Sequence, residues 1–302
     1  MSMDKYYIYV NAFWSGFDNK TDANHIAFFE KIFQQTKLNN FELTTDIDKA
    51  NVLFESLFGK SLITFKQWKY TIYYSGETWP NDTSKYDIVL DSDNNITNPN
   101  QNNIVDVPLA VYYTNNNIFF ERLILRPHIK KVPTEFCCFV VSNPNGYVRN
   151  KMFEMLNNYK KVDSYGRYAN NMNNTHIEHG YWTDDYLNFI GKYKFMICFE
   201  NSKKGTYITE KIVNPYLARI VPIYWGTHHV KNLFNPESML FLEDESDESY
   251  SKLVNRIIEL DNNDEKYLEF INNPSLNCFN VDYWKNHYTI ENIAKRIDNI
   301  LH

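Results

Sequence analysis

The chain lacks the cysteine framework of a stapled secreted domain: four cysteines among 302 residues are too few and too scattered. Cys137, Cys138 and Cys198 lie in apolar, strand-like runs, where a buried reduced thiol is the ordinary state. No Cys-x-x-Cys or Cys/His spacing suggests zinc. Positive charge is not in excess, since 31 Lys and Arg against 37 Asp and Glu leave −6, which argues against a nucleic-acid binder. No apolar run approaches the ~18 residues of a membrane span, and residues 6–10 at the N-terminus are only of strand length. The expectation is a cytoplasmic chain without a signal or anchor. No internal repeat is found. Four Asn-x-Ser/Thr triplets, at Asn19, Asn81, Asn95 and Asn173, are what chance supplies in an Asn-rich chain. What is plentiful is apolar (43%) and aromatic (17%, with 23 Tyr and 21 Phe), a globular composition leaning towards aromatic stacking surfaces. The length suffices for two domains with sizeable cores.

Strand-like and helical stretches alternate through the first half, the signature of an α/β layer architecture. Residues 5–10 read as a first strand. A helix over 22–35 follows, with Ile26, Phe29, Ile32 and Phe33 at helical spacing and Thr21 or Asp22 as its cap. Residues 52–54, 70–74, 86–90 and 107–113 read as further strands, and 93–103 as an Asn-rich loop. The basic, proline-punctuated stretch 126–133 is the best boundary. It divides an N-terminal domain (1–128) from a second domain (129–285), with a terminal helix (286–302) for which packing back on the first domain is one option. In the second half, 136–141 is a strand running into a Ser142-Asn143-Pro144-Asn145-Gly146 turn, and a helix carries Val148, Met152, Met155, Leu156 and Tyr159 on one face. Residues 160–174 read as a polar segment. The acidic run 243–248 reads as a solvated loop before an amphipathic helix over 249–260. Thr289 caps a last helix whose Ile290, Ile293, Ala294 and Ile297 form a core-facing stripe.

Residues 193–226 organise this half. The apolar run Phe195-Met196-Ile197-Cys198-Phe199 stops at Glu200-Asn201-Ser202, a polar loop runs to Thr206, a helical segment starts near Tyr207, and a second apolar run ends at Gly226. Strand, loop, helix, strand is the βαβ pattern, and such sheets bind ligands beyond the carboxyl ends of their strands. Asn201, Tyr207, Glu210 and Lys211 are therefore placed where a ligand sits. A helix N-terminus with a lysine in its first turns suits a phosphate or diphosphate. Pro215 falls inside this helix, where it removes a hydrogen bond and crowds the preceding turn, so a short or kinked helix is expected.

Five blocks in order carry a more specific reading: Phe136-Cys137-Cys138-Phe139-Val140-Val141-Ser142-Asn143-Pro144-Asn145 with Arg149-Asn150, then Val162-Asp163-Ser164-Tyr165-Gly166-Arg167, then Tyr193 through Ser202, then Tyr207-Ile208-Thr209-Glu210-Lys211-Ile212, then Val221-Pro222-Ile223-Tyr224-Trp225-Gly226. Their order and spacing resemble the family 10 glycosyltransferases, the α1,3/4-fucosyltransferases. One block alone is weak, but five in order are specific. The N-terminal half resembles the family more loosely, at Phe54-Glu55-Ser56 and Tyr73-Tyr74-Ser75-Gly76-Glu77. The resemblance implies a GT-B fold: α/β, two Rossmann-like domains facing a cleft, acceptor largely on the N-terminal side and GDP-fucose on the C-terminal side. It implies inverting transfer of L-fucose from GDP-fucose to a glycan hydroxyl, in α1,3 linkage to a GlcNAc-type sugar. Animal members carry an N-terminal membrane anchor; the likeness here is to the soluble bacterial members.

Inversion in one displacement needs a base for the acceptor hydroxyl and stabilisation of the leaving diphosphate. The resemblance gives Glu77 the base position; taken alone it is a solvated turn residue. Arg167 and Lys211 match the phosphate-contacting cations, arginine being able to grip a diphosphate bidentately. Tyr207 matches a hydroxyl donor to the same groups. Glu210 suits ribose or fucose hydroxyls, Asn201 matches a nucleotide-contacting position, and Ser142 and Asn143 shape the donor loop. Their plain alternatives are a surface arginine, a solvated first helical turn and a strand-end cap. Glu200 either serves the site or orients the loop. Trp14, Trp79 and Trp182 either stack on sugars or fill core, and His228-His229 read as strand residues pointing apart. No Asp-x-Asp stands in a suitable place, so no metal is required and Mn²⁺ is at most a stimulant. The rival readings are a same-fold transferase using another nucleotide sugar and a non-catalytic glycan- or nucleotide-binding protein.

Overall fold

Short runs rich in Val, Ile, Tyr and Phe pair in parallel throughout the chain, and two sheets result. The computed structural model describes residues 5–22, 24–78, 82–92, 102–116, 119–173 and 183–301. The Asn-rich loop falls largely outside these residues, as do Trp79, Asn81, Asn95 and Trp182. Two units are distinguished: the first comprises Met1–Asn117, Lys204–Tyr207 and Asp282–His302, the second Ile118–Lys203 and Ile208–Val281.

In the first unit β1 (Tyr6–Asn11), β2 (Phe41–Thr44), β3 (Val52–Glu55), β4 (Tyr70–Ser75), β5 (Ile88–Asp91) and β6 (Ile104–Asp106) make a parallel sheet in the order β2-β1-β3-β4-β5-β6. Every residue of β3 and β5 is buried, as expected of a parallel sheet covered on both faces. The helix Ala27–Phe33 turns Phe28, Phe29, Ile32 and Phe33 inward, and Phe29 meets Phe54 at 5.1 Å and Tyr74 at 4.7 Å between ring centroids. Phe13 stacks on Phe17 at 3.9 Å. The aromatic richness of this unit is thus spent largely on its core, not on the stacking surface its composition suggested. Trp14 joins it, edge-on to Phe17, with its ring N–H donated to the Asn24 carbonyl. The terminal helix Ile290–Ile300, capped by Thr289, packs on the Ala27–Phe33 helix within the same unit.

Two sequence expectations are corrected here. The first helix starts at Ala27, not Asp22, because Asp22 Oδ1 accepts the Asn24 N–H and the Thr21 and Asp22 amides turn back to the Gly16 carbonyl. Residues 107–113 are not a strand: β6 ends at Asp106, and Pro108 opens the helix Leu109–Asn116, its carbonyl accepting the Val111 and Tyr112 amides. Proline suits a helix start, since the N–H it lacks is one the first turn could not pair anyway. Ala110 to Tyr113 are all buried, so no amphipathic period marked the helix in advance.

The second unit holds β7 (Glu135–Phe139), β8 (Val162–Ser164), β9 (Tyr193–Ile197), β10 (Val221–Tyr224) and β11 (Leu240–Phe241) in the parallel order β11-β10-β9-β7-β8. β8 lies inside the stretch expected to be a polar segment. The helices Tyr147–Tyr159 and Asp247–Asp261 bury Met152, Leu156, Leu253 and Ile257 with Phe139, Phe195 and Ile223 of the sheet. The helix carrying Pro215 is short, Glu210–Ala218, and ends in Arg219 with left-handed backbone (φ 59°). His228 and His229 follow β10 in a turn and are not on a strand. Among the described residues no helix is long and apolar enough to cross a membrane.

Candidate functional site

The strand order of the second unit reverses at β7, which has β8 on one side and β9 on the other. Segments leaving the sheet at such a point diverge and leave a crevice beyond the strand ends, where doubly wound sheets bind ligands. A cavity of about 210 Å³ opens here, lined by Ser142 and Asn143 after β7, Arg149 from the Tyr147–Tyr159 helix that follows them, Asn201 after β9, and Glu210 and Lys211 from the start of the Glu210–Ala218 helix. Five of the sequence-expected residues therefore share one wall.

Glu200 holds this arrangement together. It is buried three residues beyond the end of β9; Oε1 accepts the Thr209 N–H (2.8 Å) and the Tyr224 hydroxyl (3.2 Å), and Oε2 accepts the Thr209 hydroxyl (2.7 Å). Thr209 caps the helix, its oxygen accepting the Lys211 amide. The Lys211 ammonium lies 3.5 Å from Glu200, 3.1 Å from Thr209 Oγ1 and 3.7 Å from Glu210. Burial, with Glu210 adding to it, pushes the Glu200 carboxyl up, while Lys211 and the Thr209 donors pull it back. Orienting the loop is thus the role the structure gives Glu200. Glu200→Gln keeps the shape but turns an amide N–H₂ towards donors, and should cost about 1–3 kcal/mol of stability, the penalty of leaving a buried donor unsatisfied. The denaturant midpoint checks this, and an unchanged midpoint would show that Glu200 does not anchor the loop.

Arg149 is the cavity residue that sequence reasoning passed over. It is 2% exposed, its guanidinium donating to Asn201 Oδ1 (2.6 Å) and to the Asn143 carbonyl (2.6 Å). This pins both loops and fixes the Asn201 amide with its oxygen on the Arg149 guanidinium. A signal existed: Arg149, Met152, Phe153 and Leu156 are the buried face of one helix, so a charge sat on an apolar stripe.

Arg167 stands apart from the cavity wall. It is exposed, and the chain around it runs beside the cavity-lining segment, with Tyr165 N–H donating to the Phe139 carbonyl and Tyr168 N–H to the Val141 carbonyl. Gly166 makes this possible, because a Cβ there would overlap the Val141 backbone.

Glu77 and Tyr207 belong to the first unit. Glu77 follows β4 in a turn fixed by Ser75, whose hydroxyl donates to the Glu77 carbonyl (2.8 Å) and accepts its N–H (3.1 Å). The Tyr207 hydroxyl donates to Glu77 Oε2 at 3.2 Å. Tyr207 is thus not in the helix expected to start there, which begins at Glu210. Among the described residues no group of three His, Cys, Asp or Glu side chains could hold a metal ion.

Two parallel, doubly wound units with a cation-lined crevice at the switch point of the second describe a protein of the GT-B type. A crystal structure of an α1,3-fucosyltransferase with GDP-fucose shares this fold, with a TM-score of 0.71 over 99% of this chain and 91% of that one, at 20% identity. The model of glycosyltransferase family 10 (fucosyltransferase), C-terminal part, matches residues 130–300. The chain belongs to glycosyltransferase family 10. It is 33% identical over 142 residues to the alpha-(1,3)-fucosyltransferase FucT of Helicobacter pylori, covering 47% of this chain and 28% of that protein. It is 30% identical over 171 residues to the human 4-galactosyl-N-acetylglucosaminide 3-alpha-L-fucosyltransferase 9, covering 53% and 44%. The matches span less than half the length of either relative.

Proposed function

We propose that the chain transfers L-fucose from GDP-fucose to a glycan hydroxyl with inversion, in α1,3 linkage to a GlcNAc-type sugar. The observation that carries this reading is the gathering of Ser142, Asn143, Asn201, Glu210 and Lys211 around one cavity at the β7/β9 reversal. In this reading the GDP portion occupies that cavity. Lys211, Arg167 and the positive end of the Glu210–Ala218 helix meet the diphosphate. Glu210 accepts sugar hydroxyls, and Asn201, its oxygen held by Arg149, offers amide N–H groups to the nucleotide. The acceptor oxygen forms its bond to the fucose anomeric carbon as the bond to the diphosphate breaks. The acceptor proton passes to Glu77, and the bonding pair leaves with GDP, where the cations stabilise it. No step calls on a metal, so turnover is expected in EDTA, with Mn²⁺ only a stimulant.

Calorimetric titration with GDP, GDP-fucose and GDP-mannose, beside an assay for slow donor hydrolysis, tests the reading. GDP binding with hydrolysis of GDP-fucose alone supports it. Hydrolysis of GDP-mannose instead would favour a same-fold transferase with another donor, and absence of GDP binding would remove the donor site. Lys211→Ala is expected to weaken GDP binding by about 1.5–3 kcal/mol, the scale of a hydrogen bond to a charged group. An unchanged dissociation constant would take Lys211 out of the site.

A further inference from the structure

We infer that Tyr207 is a positioning residue for the Glu77 carboxylate; this rests on the reading of Glu77 as the base. Residues 204–207 interrupt the second unit and pack with the first, across the carboxyl ends of its strands. Thr206 fixes them there. Its N–H donates to the Ser92 carbonyl just after β5 (2.6 Å), and its hydroxyl, within 2.9 Å of that carbonyl and also against the Asp106 carboxylate at the end of β6, shares its one proton between these acceptors. Asp106 is itself held, its Oδ2 accepting the Tyr288 hydroxyl (2.5 Å) and its carbonyl the Arg296 guanidinium (3.2 Å).

The next residue is Tyr207, its ring buried (1% exposed) and its hydroxyl on Glu77 Oε2. The backbone of Glu77 is fixed from β4 by Ser75, but a glutamate has three side-chain torsions beyond it. A base must lie within hydrogen-bond reach of the proton it takes, so those torsions matter to the rate. A phenol is well suited to hold them, because with an ordinary pKa of about 10 it donates a hydrogen bond at neutral pH without surrendering its proton. A carboxylate has two oxygens with about four lone-pair sites, so accepting the Tyr207 hydroxyl does not by itself prevent uptake of the acceptor proton.

The family resemblance assigns this hydroxyl to the diphosphate, and the two roles predict opposite splits. Tyr207→Phe, with GDP-fucose as donor, should lower kcat by about 10–100-fold, the scale of one hydrogen bond to a charged group, and leave the GDP dissociation constant within about twofold. In a Glu77→Gln background the same change should cause little further loss, as expected of coupled residues. Unaltered kcat, or GDP binding weakened tenfold with kcat kept, would overturn the assignment. Should Tyr207→Phe melt early, Thr206→Val loosens the anchor instead, and the same fall in kcat at constant GDP affinity is required of it. Full turnover by Glu77→Gln alone would instead indict the base, a separate failure.

Discussion

Glu77→Gln is expected to reduce transfer by about 10²–10⁴-fold, the usual contribution of a positioned general base, while GDP affinity stays as in the parent protein. Glutamine preserves the size of the side chain, and its amide oxygen can still accept the Tyr207 hydroxyl, so the turn after β4 should be undisturbed. What is lost is the capacity to take a proton. The two readouts separate because the residues lining the cavity proposed for GDP are all in the second unit and Glu77 is in the first. Steady-state kcat together with calorimetric GDP binding checks this. A variant that kept both would need another residue as base; a variant that lost both would mean that Glu77 supports folding and not proton transfer.

Gly166→Ala is the second change with a large expected effect, and its cause is purely steric. The added methyl would fall on the carbonyl and amide of Val141, which are main-chain atoms and cannot swing aside as a flexible side chain would. Residues 165–168 are tied to the same segment by the Tyr165 and Tyr168 amides. Relief therefore requires breaking those bonds or displacing the chain that leads into Ser142 and Asn143. A loss of about 3 kcal/mol or more in stability is expected, the upper range for overpacking, together with loss of GDP binding. Denaturant unfolding and GDP titration read the two effects; parent-like values in both would contradict the close approach of Gly166 to Val141.

Local chemistry made much of this legible in advance. The runs that became β1, β3, β4, β7, β9 and β10 were largely apolar stretches ending in polar residues or, for β10, in Gly226, which is how buried parallel strands read. The terminal helix announced itself through a Thr289 cap and an isoleucine stripe. The blocks around Asn201, Glu210 and Lys211 were identifiable because a polar loop leading from a strand end into a helix N-terminus is a local pattern of residue type and spacing.

Other features depend on partners remote in sequence. Residues 107–113 looked like a strand because Val, Tyr and Leu favour one, yet burial on all sides erases the helical period and Pro108 fixes a helix start. Glu200 could be read equally as ligand-binding or structural until Thr209, Tyr224 and Lys211 were seen to converge on it. Arg149 and Asn201 lie 52 positions apart and meet only because β7 and β9 are neighbours in the sheet. Tyr207 and Glu77 are 130 positions apart, and no spacing rule connects them. The sequence by itself determined most of the strands, the terminal helix, the family and the residue types around Asn201, Glu210 and Lys211, since these follow from propensity, patterning and short-range motifs. The tertiary structure alone decided which of those side chains share a cavity and which pair with one another, because long-range contacts are set by strand order and packing.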